Sequence, residues 1–136
     1  IITYYKYLMD GINMSLQRNL FHEVGRIITV KGKISNFGYL IKKDKIYFTV
    51  LLYDVETNNK RIDHLWLIAN DTFIDQNPGR GDSLLIETTI HPYRNRKRNK
   101  NFGATRFKLI KIIEKKNGFS IKDYIKKQKQ MLEKKT

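Results

Sequence analysis

The chain has 136 residues, with 27 lysines and arginines against 13 acids, a net charge of +14 and no cysteine. This length suits one domain with a buried core, and the missing cysteines exclude disulfides and thiolate metal sites. No stretch approaches the ~20 apolar residues of a membrane span and no secretory signal stands out, so a cytoplasmic setting is expected.

Residues 1–23 place Tyr5, Leu8, Ile12, Leu16 and Leu20 on one helical face. Gly11 sits inside that pattern, and glycine costs ~1 kcal/mol relative to alanine there, so a break near Asp10-Gly11 is expected. After this N-terminal helical segment the texture turns to β-branched and aromatic runs over residues 24–116. "GRIITVKGKISNF" reads as the first strand, with Ile28, Val30 and Ile34 on one face and a bend or bulge at Gly32. "KIYFTVLLYDV" is the second strand, "ETNNKR" a turn and "IDHLWLIA" the third strand. "NDTFIDQNPGRG" predicts one helical turn, capped by Asn70 or Asp71 and ended by Pro78-Gly79. "DSLLIETTIHPY" and "ATRFKLIKII" are the fourth and fifth strands.

Residues 117–136 predict a basic amphipathic helix. Ser120 is the N-cap, Asp123 stands where a capping-box carboxylate belongs, and Phe119 and Tyr124 hold the positions of a hydrophobic staple. Ile121, Tyr124, Ile125, Gln128, Met131 and Leu132 share a stripe, read as docking on the β domain or on a partner. The fold class is therefore mainly β: a five-stranded OB-fold Greek-key barrel with a short helix between strands three and four and flanking N- and C-terminal helices. An SH3-like barrel or an open α+β sheet shares the strand count. The position of the short helix favours the OB order.

"VKGKISNF" followed by "IYFTV" resembles the OB domain of the exonuclease VII large subunit. The matching residues are Val30, Gly32, Ile34, Ser35, Asn36, Tyr47, Phe48 and Thr49. "PGRGDSLLIET" is similar to the Gly-Asp entry into strand four of OB domains. Nothing in the chain resembles that enzyme's catalytic region, so the resemblance implies a non-enzymatic binder of single-stranded nucleic acid. The tip "MLEKKT" is basic, unlike the acidic tip of housekeeping single-strand binders.

The charge points the same way. A net +14 repels itself, and a polyanion relieves that repulsion. Nucleic acid is the first candidate, ahead of an anionic membrane surface or an acidic protein. In "HPYRNRKRNKNF" five cations fall within seven residues: Arg94, Arg96, Lys97, Arg98 and Lys100, between Tyr93 and Phe102. In the OB layout this stretch joins strands four and five. The loop joining strands one and two would bring Tyr39, Lys42, Lys43 and Lys45 to the same side. Strand alternation turns Tyr47 and Tyr53 outward, with His64 and Trp66 beside them as a base-stacking platform. Arg106 and Lys108 in strand five add charge next to it. A lone tryptophan in a strand is more often core, so a buried Trp66 stays open.

Other chemistry finds little footing. His22, His64 and His91 have no zinc-ligand spacing, and Gly79-Arg80-Gly81 lacks the Lys-Ser/Thr of a phosphate loop. Arg80-Gly81-Asp82 is read as a turn rather than an adhesion tripeptide. Asp63, Asp82 and Glu87 would make a metal nuclease only if three strands brought them together. The expected function is single-stranded DNA binding in replication or recombination of a phage or mobile element, with RNA as a further ligand, no cofactor, no metal and no membrane partner. The alternative is an interaction module or inhibitor that grips an acidic protein such as a helicase or primase subunit.

Overall fold

A computed structural model of the chain describes residues 24–57, 60–94 and 100–133; in 92–94, 100–103, 105 and 106 it describes the backbone alone. The expected N-terminal helical segment, residues 1–23, lies outside the described residues. The elements are β1 (Ile27–Lys42), β2 (Lys45–Thr57), β3 (Lys60–Ile68), α1 (Asp71–Asp75), β4 (Ser83–Arg94), β5 (Lys100–Glu114) and α2 (Ile121–Glu133). The molecule is thus mainly β, five strands with a short helix after β3 and a C-terminal helix. No helix among the described residues is long and apolar enough to cross a membrane.

β1 is the hinge of the architecture. Its first half pairs antiparallel with β4, from Ile27–Thr89 to Lys33–Ser83. Its second half pairs antiparallel with β2, from Lys31–Glu56 to Lys42–Lys45. β2 continues antiparallel to β3, and β4 to β5. The outer strands β3 and β5 then touch in a short parallel seam, Trp66 opposite Gly103 and Leu67 opposite Ala104. Asn70 extends that seam by donating its side-chain N–H to the Phe107 carbonyl at 3.0 Å.

β1 passes from one ladder to the other around Gly32, where the sequence predicts a bend or bulge. Gly32 is buried, and a Cβ there would lie 3.3 Å from Leu52 and Val55 side-chain atoms. Two irregularities accompany it. β2 carries an extra residue around Asp54, which takes φ 50°, and β1 carries one between Ile34 and Asn36. Bulges of this kind bend a strand and reset which residues face inward. So Ile28, Val30 and Ile34 face the core, and then Phe37; Val50 and Leu52 do, and then Val55.

Two strands run further than the sequence suggests. "GYLIKKDK" is not a loop: β1 and β2 stay paired to Lys42–Lys45, and Lys43 and Asp44 turn the chain with φ of 51° and 63°. Two consecutive positive φ values make a primed hairpin turn, usually marked by Asn-Gly or Asp-Gly. Without glycine the signal is silent. β5 likewise begins at Lys100 rather than Ala104, because the β4–β5 ladder continues to Arg94–Lys100.

The helices close the core. The Asn70 side chain caps α1 by accepting from the Phe73 N–H at 2.9 Å, and buried Phe73 meets Phe107 edge-on, centroids 5.2 Å apart. Ser120 caps α2, its hydroxyl accepting from the Asp123 N–H at 3.2 Å. The two residues of the expected staple each make a further contact. Phe119 lies under the Arg80 guanidinium at 5.3 Å. Tyr124 turns into the core against Phe37 and Phe48, at 5.7 and 6.2 Å. Ile121 and Tyr124 are buried, whereas Met131 is 48% exposed, so α2 docks through its first half.

Asp82 ties the entry of β4 to the α2 linker. Its buried carboxylate accepts from the Gly79 N–H at 2.9 Å and the Lys116 N–H at 2.8 Å, with the Lys115 ammonium at 3.7 Å. Removing it strands two backbone donors that were bonded to a charged acceptor. Asp82→Ala is expected to lower unfolding stability by roughly 3 kcal/mol, since hydrogen bonds to charged groups contribute ~1.5–3 kcal/mol each. Urea denaturation checks this; a change within about 0.5 kcal/mol, the scatter of neutral surface substitutions, would contradict it.

A candidate nucleic-acid interface

Strand registers assemble a patch on the outer face of three strands. Thr49 stands opposite Ile68, Leu51 opposite Trp66 and Tyr53 opposite His64. Across the other edge of β2, Asn36 faces Leu51, Gly38 faces Thr49 and Leu40 faces Tyr47. Leu65 and Leu67 are fully buried, so Trp66 between them points outward.

Trp66 does not stand off the sheet. Its indole reaches across β2 to β1, so that a Cβ on Gly38 would lie 3.8 Å from Cζ3 and 4.0 Å from Cη2. Strands are ~4.8 Å apart, so a ring rooted on β3 that reaches β1 must lie along the surface. This explains Thr49, which alternation turns outward although it is only 8% exposed. The end of the indole that reaches Gly38 shares that spot with Thr49, whose Oγ1 would lie 2.8 Å from the same Cβ. Trp66 is therefore neither a core tryptophan nor a projecting one; it is half-buried and lies flat.

Two further rings border it. Tyr47 is half-buried, with the Lys45 ammonium 5.4 Å from its ring centroid, a cation–π distance. His64 is also half-buried, its Nδ1 2.8 Å from the Asp63 carboxylate, which fixes the plane of the imidazole. Tyr53 is exposed beside it.

The two hairpins lie at opposite ends of this patch, not on one side. β3 ends where Ile68 meets Thr49 and the Ala69 N–H reaches the Phe48 carbonyl, so the ribbon of residues 39–48 overhangs the C-terminal end of β3. β5 runs parallel to β3 with Gly103 level with Trp66, so the β4–β5 ribbon overhangs the N-terminal end. Each hairpin extends away from Trp66 along its own strand. At ~3.3 Å per residue the Lys43-Asp44 turn lies about 25 Å along the strand from the Trp66 level, and the Lys100 backbone about 10 Å from it in the other direction. Lys42, Lys43 and Lys45 are exposed at the first turn. Arg94 and Lys100 pair at the base of the second. Arg96, Lys97 and Arg98 lie outside the described residues, as do the side chains of Tyr93, Arg94, Lys100, Phe102 and Arg106.

Two expected site residues stand apart. Tyr39 pairs with Phe48, on the face of the ribbon opposite to Tyr47. That face meets α2: burial, and secondarily the Tyr39 phenol, hold the Tyr124 hydroxyl above the usual tyrosine pKa. Lys108 is exposed opposite Glu87, five residues beyond the Gly103 level, where β3 has already ended. Residues that sequence reasoning missed are Gly38, Thr49 and Ile68. Counting back from the Lys42–Lys45 pair would align Gly38 with Thr49, but that requires knowing where the turn is.

The carboxylates do not converge. Asp63 holds His64, Asp82 is consumed by backbone donors, and Glu87 faces Lys108 on the surface. No group of three or more His, Asp or Glu among the described residues is placed to hold a metal. A cleft of about 290 Å³ between Lys31, Lys33 and Arg61 on one side and Asp54 and Glu56 on the other has both charge signs on its walls.

The placement of Trp66 has a direct test. Trp66→Ala removes an outward ring, so the protein is expected to stay folded, with loss well below the ~3–5 kcal/mol of a core tryptophan. Thermal unfolding measures it; collapse of the fold would place the indole in the core. Comparisons of the chain with protein-family models, curated proteins and solved structures find no match.

Proposed function

We propose that the chain is a non-enzymatic binder of single-stranded DNA built on an OB-type barrel. The barrel reading rests on the strand order, on β1 shared between two ladders, and on the parallel contact of β3 with β5. The resemblance of "VKGKISNF" and "IYFTV" to the exonuclease VII OB domain supports it, its glycine falling where β1 passes between its two ladders. The observation that carries the binding reading is Trp66 lying flat on the outer face between two basic hairpins. A single strand offers unpaired base faces and a phosphate chain. The indole and the Tyr47 ring suit the bases, at ~1–3 kcal/mol per stack. The lysines and arginines of the two turns suit the phosphates. RNA fits the same chemistry, and a role in replication or recombination of a phage or mobile element is consistent with such a ligand.

A second reading has one observation in its favour. Ile41, on the ribbon face turned toward α2, is 61% exposed, and Met131 on α2 is 48% exposed. Apolar side chains beside many lysines would suit an acidic protein with an apolar contact.

Fluorescence anisotropy with labelled oligo-dT and a matched duplex, at two salt concentrations, decides between them. Tighter, salt-sensitive binding to oligo-dT is expected. Replacing Arg94, Arg96, Lys97, Arg98 and Lys100 together by alanine should weaken it and flatten the salt dependence by ~0.7 in slope per lost phosphate contact. Replacing Lys108 and Lys111, away from the platform, should leave it nearly unchanged. Equal binding to both ligands, or equal effects from both sets of lysines and arginines, would leave generic charge only.

A further inference from the structure

The Trp66 indole reaches a residue two strands away, Gly38. Gly38 lies in a regular stretch of the β1–β2 ladder, with unbroken register from Asn36 to Lys42. Its φ is not in the left-handed region, so its backbone is one that any residue adopts. Glycine weakens a strand interior, and here neither a turn nor a bulge calls for it. The space does. A Cβ at Gly38 would lie 2.8 Å from the Thr49 Oγ1 and at van der Waals distance from the indole edge. Thr49 is only 8% exposed and β-branched, so it has little room to swing aside except upward, into Trp66.

We propose that Gly38 is a positioning residue for the stacking surface: the absence of a side chain there lets Thr49 stay low and the Trp66 indole lie across it. Any side chain at position 38 is transmitted through Thr49 and tips the ring off the sheet. A tilted indole presents an edge where a base needs a face. The inference rests on the proposed function for its consequence in binding, and on geometry alone for the placement of the ring.

Trp66 is the chain's one tryptophan, so its fluorescence reports this site without interference. In Gly38→Ala, acrylamide quenching of the free protein should increase, and oligo-dT affinity should fall by about tenfold, part of one stack. Adding Thr49→Ala, which removes the hydroxyl that the new methyl strikes, should restore both. In a Trp66→Leu background Gly38→Ala should have no further effect on binding. Unchanged quenching in Gly38→Ala, or a defect that persists without Trp66 or is not relieved by Thr49→Ala, would overturn the inference and leave Gly38 a packing residue only. Should Gly38→Ala fail to fold, Thr49→Ile, which adds bulk under the indole, must raise quenching in the same way. If Trp66→Leu itself leaves oligo-dT binding intact, the proposed interface fails, while the quenching measurement still decides whether Gly38 sets the ring.

Discussion

β1 must serve two partners. Its first half completes a ladder with β4 and its second half a ladder with β2, and a straight strand cannot do both around one core. The buried Gly32 permits the close approach to Leu52 and Val55 that the bend demands. The extra residues near Asp54 and between Ile34 and Asn36 then restore an apolar face after the bend. From this follow the curl of the sheet, the meeting of β3 with β5, and the space filled by Phe73 at α1 and Tyr124 at α2. The outer face of β2 and β3 is left with one hairpin at each end.

On that outer face, strand register decides which residues stand side by side. The hydrogen-bonded ladders hold Trp66, Leu51 and Asn36 in one row and Ile68, Thr49 and Gly38 in the next. No single strand builds the patch. It arises where three strands, far apart in sequence at Asn36, Leu51 and Trp66, come into line. Charge lies at its end instead, where Lys42, Lys43 and Lys45 are exposed and the Lys45 ammonium stands over the Tyr47 ring.

Much of this was legible in the chain. Alternation of Ile28, Val30 and Ile34, and of Leu65 and Leu67, gave the inward faces directly, and Asn70 and Ser120 marked the helix starts through their caps. What stayed hidden depended on counts that a local pattern does not contain. The turn at Lys43-Asp44 has no glycine, so residues 38–42 read as loop, and the pairing of Gly38 with Thr49 was out of reach. Tyr39 was expected at the interface because residues 38–45 read as the loop joining strands one and two; the register puts it on the face opposite to Tyr47. Trp66 posed the hardest case. Alternation turned it outward and size argued for burial, and the resolution, a ring lying over a neighbour's hydroxyl, is a property of the three-strand row.

The turn at Lys43-Asp44 carries a tension between shape and charge. Both residues hold a left-handed backbone in which an L side chain crowds its own carbonyl, a penalty of roughly 1–2 kcal/mol for residues other than glycine. Glycine at position 43 would relieve it. Lysine there contributes no buried surface, since the tip is exposed. The ribbon nevertheless stays zipped to its last pair, held by the side chains that face each other below the tip, Ile41 with Ile46 and Leu40 with Tyr47. Those cross-strand contacts are what let the hairpin tolerate an ammonium group at a position shaped for a hydrogen atom. The tip is thus a charged end mounted on an apolar stem, and trimming the stem would unfasten the turn before it changed the charge.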